Sequence, residues 1–144
     1  MLQSASVFQN NPSASLQEVD YRFGRIVVTD PKRNASYESD VHGYITIDSN
    51  ATGIIPVVVL MHGRHQTCET DIGQLPVLIA DDDTCPNING VLGPADSYRG
   101  YQYLVEHLAS HGYAVISIDA NDINDNDGSP ASGDAGANAR AQLI

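Results

Sequence analysis

Ile54-Ile55-Pro56-Val57-Val58-Val59-Leu60-Met61 runs without interruption into His62-Gly63-Arg64-His65. The first eight residues are all apolar and mostly β-branched, with no polar residue alternating among them. A half-exposed strand alternates, whereas a short continuous apolar run predicts a strand covered on both faces, inside a parallel sheet. The run is far too short to span a bilayer. Gly63, at its carboxyl end, allows a sharp turn and lets a ligand approach the main chain. Ligands bind at the carboxyl edge of open parallel sheets, so the backbone N–H of Arg64 is expected to face whatever sits above the sheet. A preorganised amide of this kind stabilises the oxyanion of acyl transfer, one donor being worth about 3 kcal/mol. A tight turn that simply needs glycine is the plain alternative.

Downstream, Tyr98, Tyr101, Leu104, Val105, Leu108 and Ala109 recur at spacings of three and four. They predict an amphipathic helix, with Ser97 as its cap and Gly112 at the C′ position. Tyr113-Ala114-Val115-Ile116-Ser117-Ile118-Asp119 reads as a second buried strand, which completes a parallel βαβ unit. Asn121–Gly133 reads as a polar loop, and Ala135–Ile144 as the opening of another helix capped by Asp134. Upstream, Tyr21–Val28 and Val41–Asp48 predict two strands, the second half-exposed and antiparallel to the first. Residues 1–19 read as a loose leader and 20–144 as one domain of α/β class. The segment from His62 to about Asp96 reads as a long, anchored or functional loop. No internal repeat is present.

The chain has 144 residues and a formal net charge of −11, from 18 acidic and 7 basic side chains. That balance repels nucleic acid and excludes a polybasic membrane patch. Apolar residues make up 42% of the chain, enough for a core. Met1–Ser15 shows no charged segment followed by an apolar one, so no signal peptide is visible. Cys68 and Cys85 lie in one polar loop. A disulfide between them would stabilise by roughly 3 kcal/mol through chain entropy and would imply a secreted or periplasmic protein.

Pro56–Cys68, Ser97-Tyr98-Arg99-Gly100-Tyr101, Leu108-Ala109-Ser110-His111-Gly112-Tyr113-Ala114-Val115 and Ala139-Arg140-Ala141, in that order, resemble the α/β-hydrolase superfamily. The likeness is to exported bacterial serine hydrolases of the lipase, esterase and polyester-hydrolase type, over roughly residues 20–144. It implies an antiparallel β-meander leading into parallel βαβ within a three-layer sandwich, only the N-terminal part being present. It also implies hydrolysis of carboxylic esters of small-molecule, lipid or polyester type without a cofactor. The Arg64 N–H would be an oxyanion donor, His62 and Gly63 would shape the loop, and His65 would position it or line the cleft. Packing or solvated roles are the alternative for His65, His107 and His111. Arg99 is expected to tie the helix start to the loop.

The chain departs from that pattern in one decisive respect. The G-x-S-x-G nucleophile elbow is absent, as are the segments that bring the acid and the histidine. Ser110 sits at a helix end beside His111 with no acid to orient a base, and Ser132 lies in a Pro-Ala-Ser-Gly loop; neither is placed as a nucleophile. The expectation is an incomplete domain that is inactive alone and is completed by the rest of a hydrolase or by self-association. The missing strands are expected beside Ala114–Ile118, leaving that edge open. A non-catalytic binding or structural domain is the rival. Asp122, Asn124, Asp125 and Asp127, in an oxygen-rich loop, make a weak calcium site conceivable, though an EF-hand register puts Ile123 at its first position.

Overall fold

The structure is a computed structural model and describes residues 11–30, 34–63, 67–70, 85, 91–126 and 137–144. Strand β1 (Leu16–Asp30) and strand β2 (Ala35–Asp48) form a long antiparallel hairpin. Its register shifts between Arg22 and Gly24, where Gly24 takes a positive φ of 88°. A left-handed residue at a bulge favours glycine because it carries no Cβ. The leader expected to end at residue 19 is therefore shorter, since Leu16–Val19 already pairs with Ile45–Asp48.

Next come β3 (Val57–Met61), the short strands β4 (Cys68–Thr70) and β5 (Val91–Pro94), helix α1 (Gln102–Ser110) and β6 (Ala114–Ile118). Helices α2 (Asn121–Asn126) and α3 (Ala137–Arg140) close the described chain. The main sheet is mixed, in the order β1-β2-β6-β3, and only β3 and β6 are parallel. This is an α/β arrangement with few helices. β4 and β5 pair separately, inside the segment read as a loop, where Cys68 and Cys85 form a disulfide with Cα atoms 5.7 Å apart.

Two expectations about the sheet are overturned together. β6 is not the open edge: it lies between β2 and β3 and pairs with both. Among the described residues the outer strand is β3, where Val57 is 58% and Val59 37% exposed, so the run before His62 is not covered on both faces. An apolar, β-branched run reports affinity for a sheet. Which side acquires a neighbour is a matter of topology, which composition does not carry.

Apolar clusters lie on both faces. On one, Val105 and Ala109 of α1 pack with Tyr44 and Val115, flanked by Val58 and Leu60. On the other, Val28, Ile118, Ala120, Ile123, Ala139 and Leu143 gather, flanked by Met61 and Ile116. Alternate residues of β6 thus serve opposite clusters, as the strand period of two demands. Helix α1 stops where the sequence placed its stop: Gly112 has φ 89°, its N–H reaches Ala109 O at 3.1 Å, and the Tyr113 N–H reaches Leu108 O at 3.3 Å. That is the 6→1 and 5→2 pair of a Schellman cap. Its start differs from expectation. A 3₁₀ turn (Ser97–Arg99) precedes α1, and the Ser97 hydroxyl donates to Ala95 O rather than capping a helix. No helix among the described residues is long and apolar enough to cross a membrane.

Candidate functional site

β3 and β6 run parallel, so His62 and Asp119 leave the same edge of the sheet side by side. His62 is buried, 5% exposed. Its Nε2 accepts the Ala120 backbone N–H at 2.8 Å, and its Nδ1 lies 3.0 Å from Gly63 O. An Nε2 lone pair taken by an amide leaves the proton on Nδ1, which therefore donates to the Gly63 carbonyl. The imidazole is a cross-strand pin: it joins the residue after β3 to the first turn beyond β6.

Gly63 O also receives Asn124 Nδ2 from α2 at 3.3 Å, and Asn124 Oδ1 accepts from the Arg140 guanidinium of α3. The Gly63 carbonyl is thus tied to α2 and, through Asn124, to Arg140 of α3. Nothing lies within 4 Å of where a Cβ at Gly63 would sit, and Gly63 is absent from the positive-φ glycines. Glycine is therefore not required here by a strained turn. What its missing side chain provides is open space above the strand. A cavity of about 320 Å³ lies there, lined by His62, Gly63, Ser97, Gly100 and Tyr101.

Arg64 and His65 lie outside the described residues, as do Ser132, Asp134 and Asp127. Asn121–Asn126, expected as part of a polar loop, is helical and its first four residues are buried. The oxygens proposed for calcium are otherwise engaged in the two residues whose side chains are described. Asp122 Oδ2 accepts the Asp40 backbone N–H, and Asn124 Oδ1 faces Arg140. No group of three or more His, Cys, Asp or Glu side chains suited to a metal occurs among the described residues. Ile123, fully buried among polar neighbours, was the one sequence signal that this segment packs inward.

Ser110 is buried and donates to His107 O at 2.8 Å, with His111 Nδ1 3.2 Å from its Oγ and His107 and His111 ring centroids 4.4 Å apart. The hydroxyl completes a helix end. Among the described residues, the Arg99 guanidinium is engaged by β1. Its Nη1 donates to Glu18 at 2.8 Å and its Nη2 to Asp20, while the guanidinium lies over the Tyr44 and Tyr98 rings at 4.9 and 5.4 Å. Its hydrogen bond to Glu18 is the main reason its pKa is raised, so it clamps β1 to the helix entry as a permanent cation.

No protein-family model matches this chain, and neither a curated protein nor a solved structure is significantly similar to it.

Proposed function

We propose that this chain is the oxyanion-loop part of a serine hydrolase of the α/β-hydrolase type, acting on carboxylic esters. The serine, acid and catalytic histidine come from residues outside it, in the same or a separate polypeptide. One observation carries the proposal: the Gly63 carbonyl is held on the protein side by His62 and Asn124. In a trans peptide the following N–H lies antiparallel to that carbonyl. On this proposal the N–H that follows the held carbonyl serves as the oxyanion donor.

The sheet order supports the same reading. Among the described residues no strand pairs with the outer edge of β3, which leaves Val57 and Val59 exposed and room for a further strand. A nucleophile carried at the end of that strand would emerge beside the Gly63 cavity. The Cys68–Cys85 bond suits a secreted or periplasmic setting.

The test is hydrolysis of a short-chain p-nitrophenyl ester. The chain alone gives no turnover above a denatured control, and turnover appears when a nucleophile-bearing segment completes the sheet. In that active assembly Arg64→Pro, which removes the backbone donor, lowers kcat about 10²- to 10³-fold, whereas Arg64→Ala, which keeps it, stays within a few-fold. Equal losses in the two variants would defeat the oxyanion role.

A further inference from the structure

Helix α1 ends on two histidines, His107 in its last turn and His111 at the position that closes it. Four residues apart, they are neighbours on one face of the helix. His111 is exposed and His107 partly so. Their ring centroids are 4.4 Å apart, with the planes 41° from each other. Histidines at i and i+4 of a helix are spaced to share one metal ion. Two imidazoles on the same ion, with metal–nitrogen bonds of about 2.1 Å at a right or tetrahedral angle, have centres about 4.5 to 5 Å apart. The observed separation is close to that, so little rearrangement is needed.

The ring nitrogens are set accordingly. His111 Nδ1 is 2.7 Å from the His107 carbonyl oxygen. A carbonyl only accepts, so that nitrogen carries the proton and the neutral ring keeps its lone pair on Nε2. Giving one ring N–H to a backbone carbonyl is the usual companion of metal ligation, since it fixes the tautomer and makes the other nitrogen a better donor. Ser110 Oγ donates to the same carbonyl at 2.8 Å and lies 3.2 Å from His111 Nδ1, which steadies the ring. His107 Nδ1 is buried, so an ion from solvent can meet that ring only at Nε2. The last turn of a helix presents its partly negative carbonyl end, which favours a cation. The net charge of −11 acts in the same direction.

We propose that His107 Nε2 and His111 Nε2 chelate a divalent transition ion of the class that prefers imidazole, Zn²⁺, Ni²⁺ or Cu²⁺, with water at its other positions. Mg²⁺ and Ca²⁺, which prefer oxygen ligands, are the wrong class. No group of three or more His, Cys, Asp or Glu side chains converges on a metal among the described residues, and this site accordingly uses two. Two protein ligands make it open and exchangeable rather than a closed structural centre. The site does not depend on the hydrolase reading, since Gly100 and Tyr101, which line the Gly63 cavity, stand at the opposite end of α1.

The experiment titrates the intact chain with Zn²⁺, following the imidazole C–H signals of its five histidines by NMR, with Mg²⁺ as the control. Zn²⁺ moves the His107 and His111 signals together along one saturable curve, and Mg²⁺ at the same concentrations leaves both in place. No saturable response at this pair, or movement of only one of the two rings, would overturn the chelate. An equal response to Mg²⁺ would reduce the effect to general attraction by an acidic chain, and the proposal would fall. These readings need only the native chain. Variants then test whether the ion is shared. His107→Ala and His111→Ala each weaken Zn²⁺ at least about tenfold, because the second nitrogen otherwise binds intramolecularly, and the double variant loses little more than either. Small single losses that simply add in the double variant would mean two independent histidines and no chelate.

Discussion

β3 and β6 lie side by side in parallel and read almost alike, yet the protein treats them in opposite ways. β3 is the more apolar, and two of its valines are substantially exposed; β6 carries a serine, and Val115, Ser117 and Ile118 are all buried. The serine is tolerated because its hydroxyl donates to Tyr98 O at 2.6 Å. Burial here follows from having two neighbours, β2 and β3, rather than from hydropathy. The more apolar strand is the one left with an edge, and its carboxyl end holds the loop proposed for catalysis.

The sharpest way to break this comparison is at the glycines attached to each strand. A Cβ at Gly43, opposite Ile118, would sit 2.0 Å from Ser117 O, an impossible contact with backbone. Gly43→Ala is expected to cost at least about 3 kcal/mol by forcing β2 from β6. Gly63→Ala, with nothing within 4 Å, is expected to stay within about 0.5 kcal/mol. Urea midpoints decide the matter, and similar losses at the two positions would mean that the β3 loop is packed after all.

Next in size is the pair Ile118→Ala and Val57→Ala. Ile118 is 5% exposed, and truncating it should cost about 2 to 3 kcal/mol. Val57, 58% exposed, should cost under about 0.5 kcal/mol while its outer edge lacks a partner strand. Supplying the strand proposed to dock there should raise the Val57 penalty and leave the Ile118 penalty unchanged. A Val57 cost that stays small in an active, completed assembly would show that the docking edge lies elsewhere.

Much of the architecture was legible in the residues. Both halves of the β1–β2 hairpin, the α1 periodicity, the Gly112 stop and the parallel pairing of β3 with β6 all follow from local patterns. The identity of the edge strand was not, because register and neighbour choice are set by long-range pairing. Helix α2 was also hidden. Asn121, Asp122 and Asn124 look solvated in one dimension, and their burial is repaid through hydrogen bonds to Ala95, Asp40, Gly63 and Arg140 that no linear spacing announces. Of the site, the His62-Gly63 turn was legible as a place. The roles inside it were not, since the glycine proved to leave space rather than relieve strain.

The smallest expected effect concerns the far end of the hairpin. Asp48 is half-buried, and its carboxylate accepts the backbone N–H groups of Asn50 and Ser15, both at 3.0 Å, which hold its pKa below the ordinary 3.8. A folded-state value below the unfolded one means a contribution present above the unfolded pKa and lost as pH falls through the folded value. The Ser15 amide should therefore exchange faster under acid, relative to its intrinsic chemistry, and Asp48→Asn should abolish that change. A Ser15 rate insensitive to pH in the native chain would contradict the tie.

The proposal rests on His62 holding the Gly63 carbonyl on the protein side. The ring ¹⁵N spectrum of His62 at neutral pH tests this most directly. Protonation at Nδ1, with a bare Nε2 coupled through its hydrogen bond to the Ala120 amide, is the predicted result. A proton on Nε2 would break both contacts at once and contradict the account.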